Sequence, residues 1–262
     1  MTDPLDGFER STFTAEGATR TVYRTGSGPA VIVISEMPGI TPNVAGFGRT
    51  VAAAGLTAVL PHLFGKDGKN PTTGYALSSV AKACVAKEFT VLATGQTSPI
   101  ITWLRALARD EHQKCGGPGV GAVGMCFTGG FALGMMVDDA VVAPVLSQPS
   151  LPFPFSKALK RDVGLSPGDL ARVQQRAAAG CSVLGLRFTG DRMSPHDRFE
   201  HLHELLGDAF IGVEIDSSPG NPYGHKKMAH SVLTEDLDDH PGTPTRAALD
   251  QVLAFFTERL SG

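Results

Sequence analysis

The stretch Gly119-Val-Gly-Ala-Val-Gly-Met-Cys126-Phe-Thr-Gly-Gly130 decides how this 262-residue chain folds. Val120, Ala122 and Val123 are small or β-branched and apolar, as a strand buried on both faces requires. Residues 131–137 then continue as an apolar helix. A strand that turns at once into a helix lifts the residue at the turn to the top of a sheet, on strained backbone. Gly124 clears space on one side of Cys126, and Gly129 with Gly130 clears it on the other. The pattern is a variant of the nucleophile elbow G-x-S-x-G, with cysteine for serine and Thr128 at the fifth position. The plainer alternative is a glycine-rich strand–helix crossing around an ordinary buried cysteine.

A thiol at that turn has a chemical use. Free cysteine titrates near ~8.5, so little of it is thiolate at neutral pH. The start of a helix offers unpaired N–H groups and the positive end of the helix dipole, which favour the thiolate. The N–H of Phe127 would point at the oxygen of a carbonyl attacked by sulfur. A base, an orienting acid and a second oxyanion donor remain to be found elsewhere.

Working outward, residues 8–25 read as a hairpin about Glu16-Gly17. Residues 29–34 form a continuous apolar strand that ends in Ser35-Glu36-Met37, and residues 56–60 form the next. Helical patterns cover 43–54, 75–88, 98–113, a segment opened by Ser166-Pro-Gly-Asp169, 195–206 and 243–260. Further strands lie at 140–146, 182–188 and 209–215. Residues 147–165, with three prolines in Gln148-Pro-Ser-Leu-Pro-Phe-Pro-Phe155, read as a loop over the top of the sheet. This β–α alternation is that of a single α/β domain over 1–262, with a doubly wound, mostly parallel sheet and helices on both faces.

Composition narrows the function. Lys plus Arg is 23 against 26 for Asp plus Glu, a net charge of −3, which argues against a general nucleic-acid binder. No run approaches the roughly 18 apolar residues of a membrane span. The acidic N-terminus has no signal-peptide core, and four cysteines without CxxC spacing suggest neither disulfides nor a zinc ribbon. The expectation is a cytoplasmic protein without cofactor or metal. His196, His201 and His203 with Asp197 invite a metal reading, but a two-residue spacing places His201 and His203 on different sides of a helix. Cys84, Cys115 and Cys181 are read as structural, and His62 as a bystander at a strand end.

In a doubly wound sheet, chemistry collects at the C-terminal ends of the strands. Glu36, Cys126 and Asp191 lie at such ends, with His225 and His230 in the loop after the last strand. The chain order, nucleophile then acid then histidine, is that of the α/β-hydrolase fold. With these residues in view, the chain resembles the dienelactone hydrolase family. The resemblance rests on residues 31–39 with Glu36, Gly55-Leu-Thr-Ala-Val-Leu-Pro61, the Gly124–Gly130 elbow and Phe188-Thr-Gly-Asp191, and it spans roughly 20–258. It implies an α/β-hydrolase whose Cys126, His and Asp191 attack ester or lactone carbonyls. It also implies that Glu36 contacts the resting thiol and that the Met37 N–H is the second oxyanion donor. His230, after Ala229 and before Ser-Val-Leu, fits the base better than His225, which precedes two lysines.

Two departures stand out. Thr128 replaces a usual glycine. Ser231 to Asp239 contains four acids and no arginine where the family's dienelactone enzyme binds a substrate carboxylate, which favours a neutral ester or lactone. A non-hydrolytic small-molecule binder, or a thiol redox sensor, is the competing functional class. The oligomeric state is open.

Overall fold

The computed structural model describes residues 3–71, 98–151 and 156–261. Strands β1 (Glu9–Ala15) and β2 (Ala18–Gly26) form the expected antiparallel hairpin. The other strands are β3 (Ala30–Ile34), β4 (Thr57–Pro61), β5 (Val120–Met125), β6 (Val141–Ser147), β7 (Val183–Phe188) and β8 (Phe210–Ile215). They join in one sheet of order β1-β2-β4-β3-β5-β6-β7-β8, parallel from β4 to β8. Strand β5, which runs into Cys126, is therefore central, between β3 and β6.

Side chains of these strands alternate between two cores. Ile32, Ile34, Val120 and Ala122 join one cluster with α2 (Pro99–Cys115), α3 (Gly129–Met135), α5 (Pro167–Ala178) and α6 (His196–Leu206). Val31, Val33, Val123 and Met125 join the other with α1 (Pro42–Ala53) and α7 (Pro244–Leu260). Helices thus cover both faces, and each fully buried Leu, Ile or Phe there contributes roughly 1.5–3 kcal/mol. Prolines at N1 and side-chain caps start α1, α2, α5 and α7, at Thr41, Ser98, Ser166 and Thr243.

One element differs from expectation. The segment read as a loop contains a short helix, α4 (Lys157–Arg161). Its start is fixed by the Ser156 hydroxyl, which accepts from the Leu159 N–H at 3.2 Å. The prolines just upstream, which broke the helical pattern, end before it begins. The helical reading of 75–88, with Cys84, lies outside the described residues. Among the described residues, no helix is long and apolar enough to cross a membrane.

Candidate active site

At the end of β5 the chain turns through Cys126, whose φ of 57° lies in the left-handed region that non-glycine residues rarely adopt. A short 3₁₀ turn, Cys126–Thr128, leads directly into α3. The turn closes because its neighbours lack side chains. A Cβ on Gly124 would overlap the Thr128 carbonyl, and one on Gly129 would come within 2.7 Å of Pro149. Thr128, the departure from the usual glycine, adds a fastener. Its buried hydroxyl accepts from the Met125 N–H at 2.8 Å and donates toward the Ile34 carbonyl at 3.0 Å. The elbow is thereby tied to the end of β3, where Glu36 follows.

Asp191 sits in the turn after β7 and is buried. Its Oδ1 accepts from the Met193 N–H at 2.9 Å, and its Oδ2 lies 2.6 Å from Nδ1 of His230. The carboxylate partner assigns the Nδ1 proton and leaves Nε2 for chemistry. Burial disfavours the imidazolium, but the charge of Cys126 and the Asp191 hydrogen bond outweigh it, and the His230 pKa stands well above its usual value. Among the described residues Nε2 has no well-formed hydrogen-bond partner, yet Cys126 raises the ring's pKa through both its charge and a hydrogen-bonding contribution. The main chain of the histidine loop is pinned by Asp236, whose Oδ2 accepts from the N–H groups of His230 and Ser231 at 2.8 and 3.1 Å.

His225 stands apart. Its ring packs edge-on against Phe188 with centroids 5.2 Å apart, and its N–H donates to Asn221 Oδ1 at 2.9 Å. The structure brings His230, and not His225, to Asp191.

Glu36 is buried, and its hydrogen bonds run to the histidine loop rather than to the thiol. Ser231 Oγ donates to Oε2 at 2.6 Å, Gln148 Nε2 donates to the same oxygen at 3.2 Å, and the Thr234 hydroxyl donates to Oε1. Burial pushes its pKa up, against the pull of the two hydroxyls and of His230. The direct thiol contact implied by the resemblance is absent from these bonds, because the hydroxyls one and four residues beyond His230 claim the carboxyl. Ser231, Thr234, Gln148 and Asp236 were missed in the sequence. The spacing Ser-x-x-Thr immediately after the histidine was the available signal.

The other histidines and cysteines singled out in the sequence, among the described residues, make local contacts. His196 pairs with Glu200 and Glu214, His201 with Arg161 and Glu204, and His203 stacks on Phe210. Among the described residues, no three His, Cys, Asp or Glu side chains are grouped to hold a metal ion. His62 Nδ1 lies 2.6 Å from Asp67, Arg24 donates to Cys115 Sγ at 3.4 Å, and Cys181 Sγ faces the Val142 carbonyl at 3.6 Å.

The family model described as the dienelactone hydrolase family matches residues 18–258. Among solved structures, the chain is similar to a dienelactone hydrolase-like promiscuous phosphotriesterase from metagenomic libraries, with 17% identity, 97% of this chain and 98% of that one covered, and a TM-score of 0.62. A dienelactone hydrolase from Anabaena variabilis gives 15% identity, 97% and 98% coverage, and a TM-score of 0.59. A cold-adapted esterase from an Arctic intertidal metagenomic library gives 14%, 97% and 95%, and 0.56. At these identities the likeness is one of fold. No curated protein sequence matches the chain.

Proposed function

The chain belongs to the dienelactone hydrolase family of α/β-hydrolases, and we propose that within it the protein hydrolyses a small ester or lactone through Cys126, His230 and Asp191. The observation that carries this reading is the His230 imidazole, held by Asp191 at 2.6 Å and raised in pKa by Cys126 at the strained elbow.

The chemistry follows from these positions. The thiolate attacks the carbonyl carbon, and the oxygen that becomes anionic is received by the N–H groups of Phe127 and Met37. As the tetrahedral intermediate collapses, the imidazolium gives its proton to the departing alkoxide, leaving a thioester on Cys126. His230 then takes a proton from water, which attacks the thioester and releases the acid and the thiolate. With a lactone, the departing hydroxyl stays attached to the product. Asp191 remains ionised throughout and holds the ring in the tautomer that both steps need.

The substrate assigned is neutral. The segment after His230 carries Glu235, which is engaged by Thr41 and Asn43, and Asp236, which is engaged by backbone, and it offers no arginine for a carboxylate. Assay of neutral aryl esters, lactones, an anionic lactone and an activated phosphotriester, the class named for the metagenomic relative, tests the reading. Wild type should turn over neutral esters or lactones in preference to the anionic lactone, and Cys126→Ala should turn over none. A wild-type protein inert to the whole panel, or an alanine variant as active as wild type, contradicts it.

A further inference from the structure

Arg198, in the first turn of α6, is 1% exposed, and its four side-chain hydrogen bonds to described residues all end on main-chain carbonyls. Nε donates to Asp162 O at 2.7 Å and Nη2 to Leu159 O at 3.0 Å. Nη1 is shared, reaching Pro149 O at 2.7 Å and Met193 O at 3.2 Å. Two routes into the site leave that one nitrogen. Beyond Met193, its N–H holds Asp191 Oδ1, and Asp191 Oδ2 holds His230. Beyond Pro149, the N–H of Ser150 donates to the carbonyl of Cys126 itself at 2.9 Å. Pro149 also lies against Gly129 of the elbow.

We infer that Arg198 is a positioning residue for the triad proposed above: it locks the acid loop and the segment that pins the nucleophile into one register. The inference rests on that triad. Burying a guanidinium costs heavily unless its donors are satisfied, and among the described residues no carboxylate lies within ion-pair distance of Arg198. Burial lowers its pKa to about 10, while the charges of Asp162 and Asp191 act the other way, so it stays charged at neutral pH. Packing alone would be met by an apolar side chain. What the planar fork adds is simultaneous reach to four carbonyls on three segments, which the compact ammonium of lysine cannot reproduce.

The test is Arg198→Lys, with kcat counted per titrated Cys126 so that lost folded protein does not register. The second readout is the downfield proton resonance of His230 Nδ1, assigned by its disappearance in His230→Ala. The variant should lose at least about tenfold in kcat (~1.4 kcal/mol) with KM within twofold, and the resonance should shift or broaden. Unchanged kcat per site together with an unchanged resonance, even with a lowered Tm, overturns the inference. Should the variant not fold, amide exchange in the wild type decides. The Met193 and Ser150 N–H groups should open as one unit, with equal protection. Protection factors differing by more than about tenfold contradict the coupling. A wild type that hydrolyses nothing refutes the triad reading, whereas the resonance and exchange data, taken without substrate, bear on Arg198 alone.

Discussion

Two strand ends of the same sheet hold their candidate residues with different balances of missing atoms and added donors. At the end of β5, Cys126 is fixed by omission: Gly124 and Gly129 leave no room for a Cβ, and backbone packs against backbone. At the end of β7, Gly190 likewise leaves no room for a Cβ, against the Lys227 carbonyl, but donors are added around Asp191 beside it. Buried Arg187 donates to the carbonyls of Thr189 at 3.1 Å and Ser194 at 2.7 Å, on either side of the acid, while Arg198 takes that of Met193. The first solution is rigid and unforgiving of volume. The second depends on satisfied charge, and it reaches into neighbouring segments. A turn that must present strained backbone is built from missing atoms; a loop that must hold a carboxylate toward a histidine is built from donors.

The largest effect that could break this contrast lies on the acid side. His230→Ala should cost about 10³-fold or more in kcat, ~4 kcal/mol of barrier. His225→Ala, which removes only a ring packed on Phe188, should keep at least about a tenth of the activity, a loss within ~1.4 kcal/mol. Measurement of both on one ester checks this. The reverse ranking would mean that the pair at 2.6 Å is structural. On the elbow side, Gly124→Ala forces overlap with the Thr128 carbonyl and should destabilise the fold by ~3 kcal/mol or more, read from the urea midpoint. A stable, active Gly124→Ala would show that the elbow has slack.

Thr128 sharpens the comparison, because it is a donor and acceptor set inside the glycine-built turn. Thr128→Val keeps the shape and removes the hydroxyl that bonds the Met125 N–H and the Ile34 carbonyl, at a cost of ~1–3 kcal/mol. A variant unfolding at the same urea concentration as wild type would remove the fastener from the account. The smallest effect concerns Glu36. Its folded pKa is raised by burial. Above the unfolded carboxyl pKa, near ~4.3, the folded state therefore keeps a proton that the unfolded chain has lost. Stability falls as pH rises through that window toward the folded value. Glu36→Gln removes the titration and keeps one acceptor oxygen for either the Ser231 or the Thr234 hydroxyl, which donate to different carboxylate oxygens, so the slope of stability with pH above that point should flatten even where the overall stability drops. An unchanged slope in urea melts from pH 4 to 7.5 would show that Glu36 is not the group responsible.

The same contrast explains what the sequence disclosed. Glycine patterns are local, so Gly124-x-Cys126 and the apolar strand before it were readable, as were the order of the candidate residues along the chain and the hairpin at 8–25. The acid-side wiring was not. Nothing local marks Arg187 in its β-strand or Arg198 in its helix as buried, and only tertiary packing brings Arg198 to carbonyls 36, 39 and 49 residues away. Gln148 likewise sat among prolines, which hid its place at the end of β6, and the helix at 157–161 was lost in the same proline-rich stretch. Glu36 was visible as an oddity after a buried strand, but its partners, 195 and 198 residues further on, were not.

The central claim is that the sulfur at the strained elbow becomes covalently acylated. Rapid acid quench of the wild-type protein after mixing with an aryl ester, followed by mass spectrometry of its peptides, measures this directly. The account predicts a burst of aryl alcohol approaching one equivalent per chain, and an acyl group on the peptide that contains Cys126. Steady hydrolysis with no acyl group on that peptide at any quench time would contradict it.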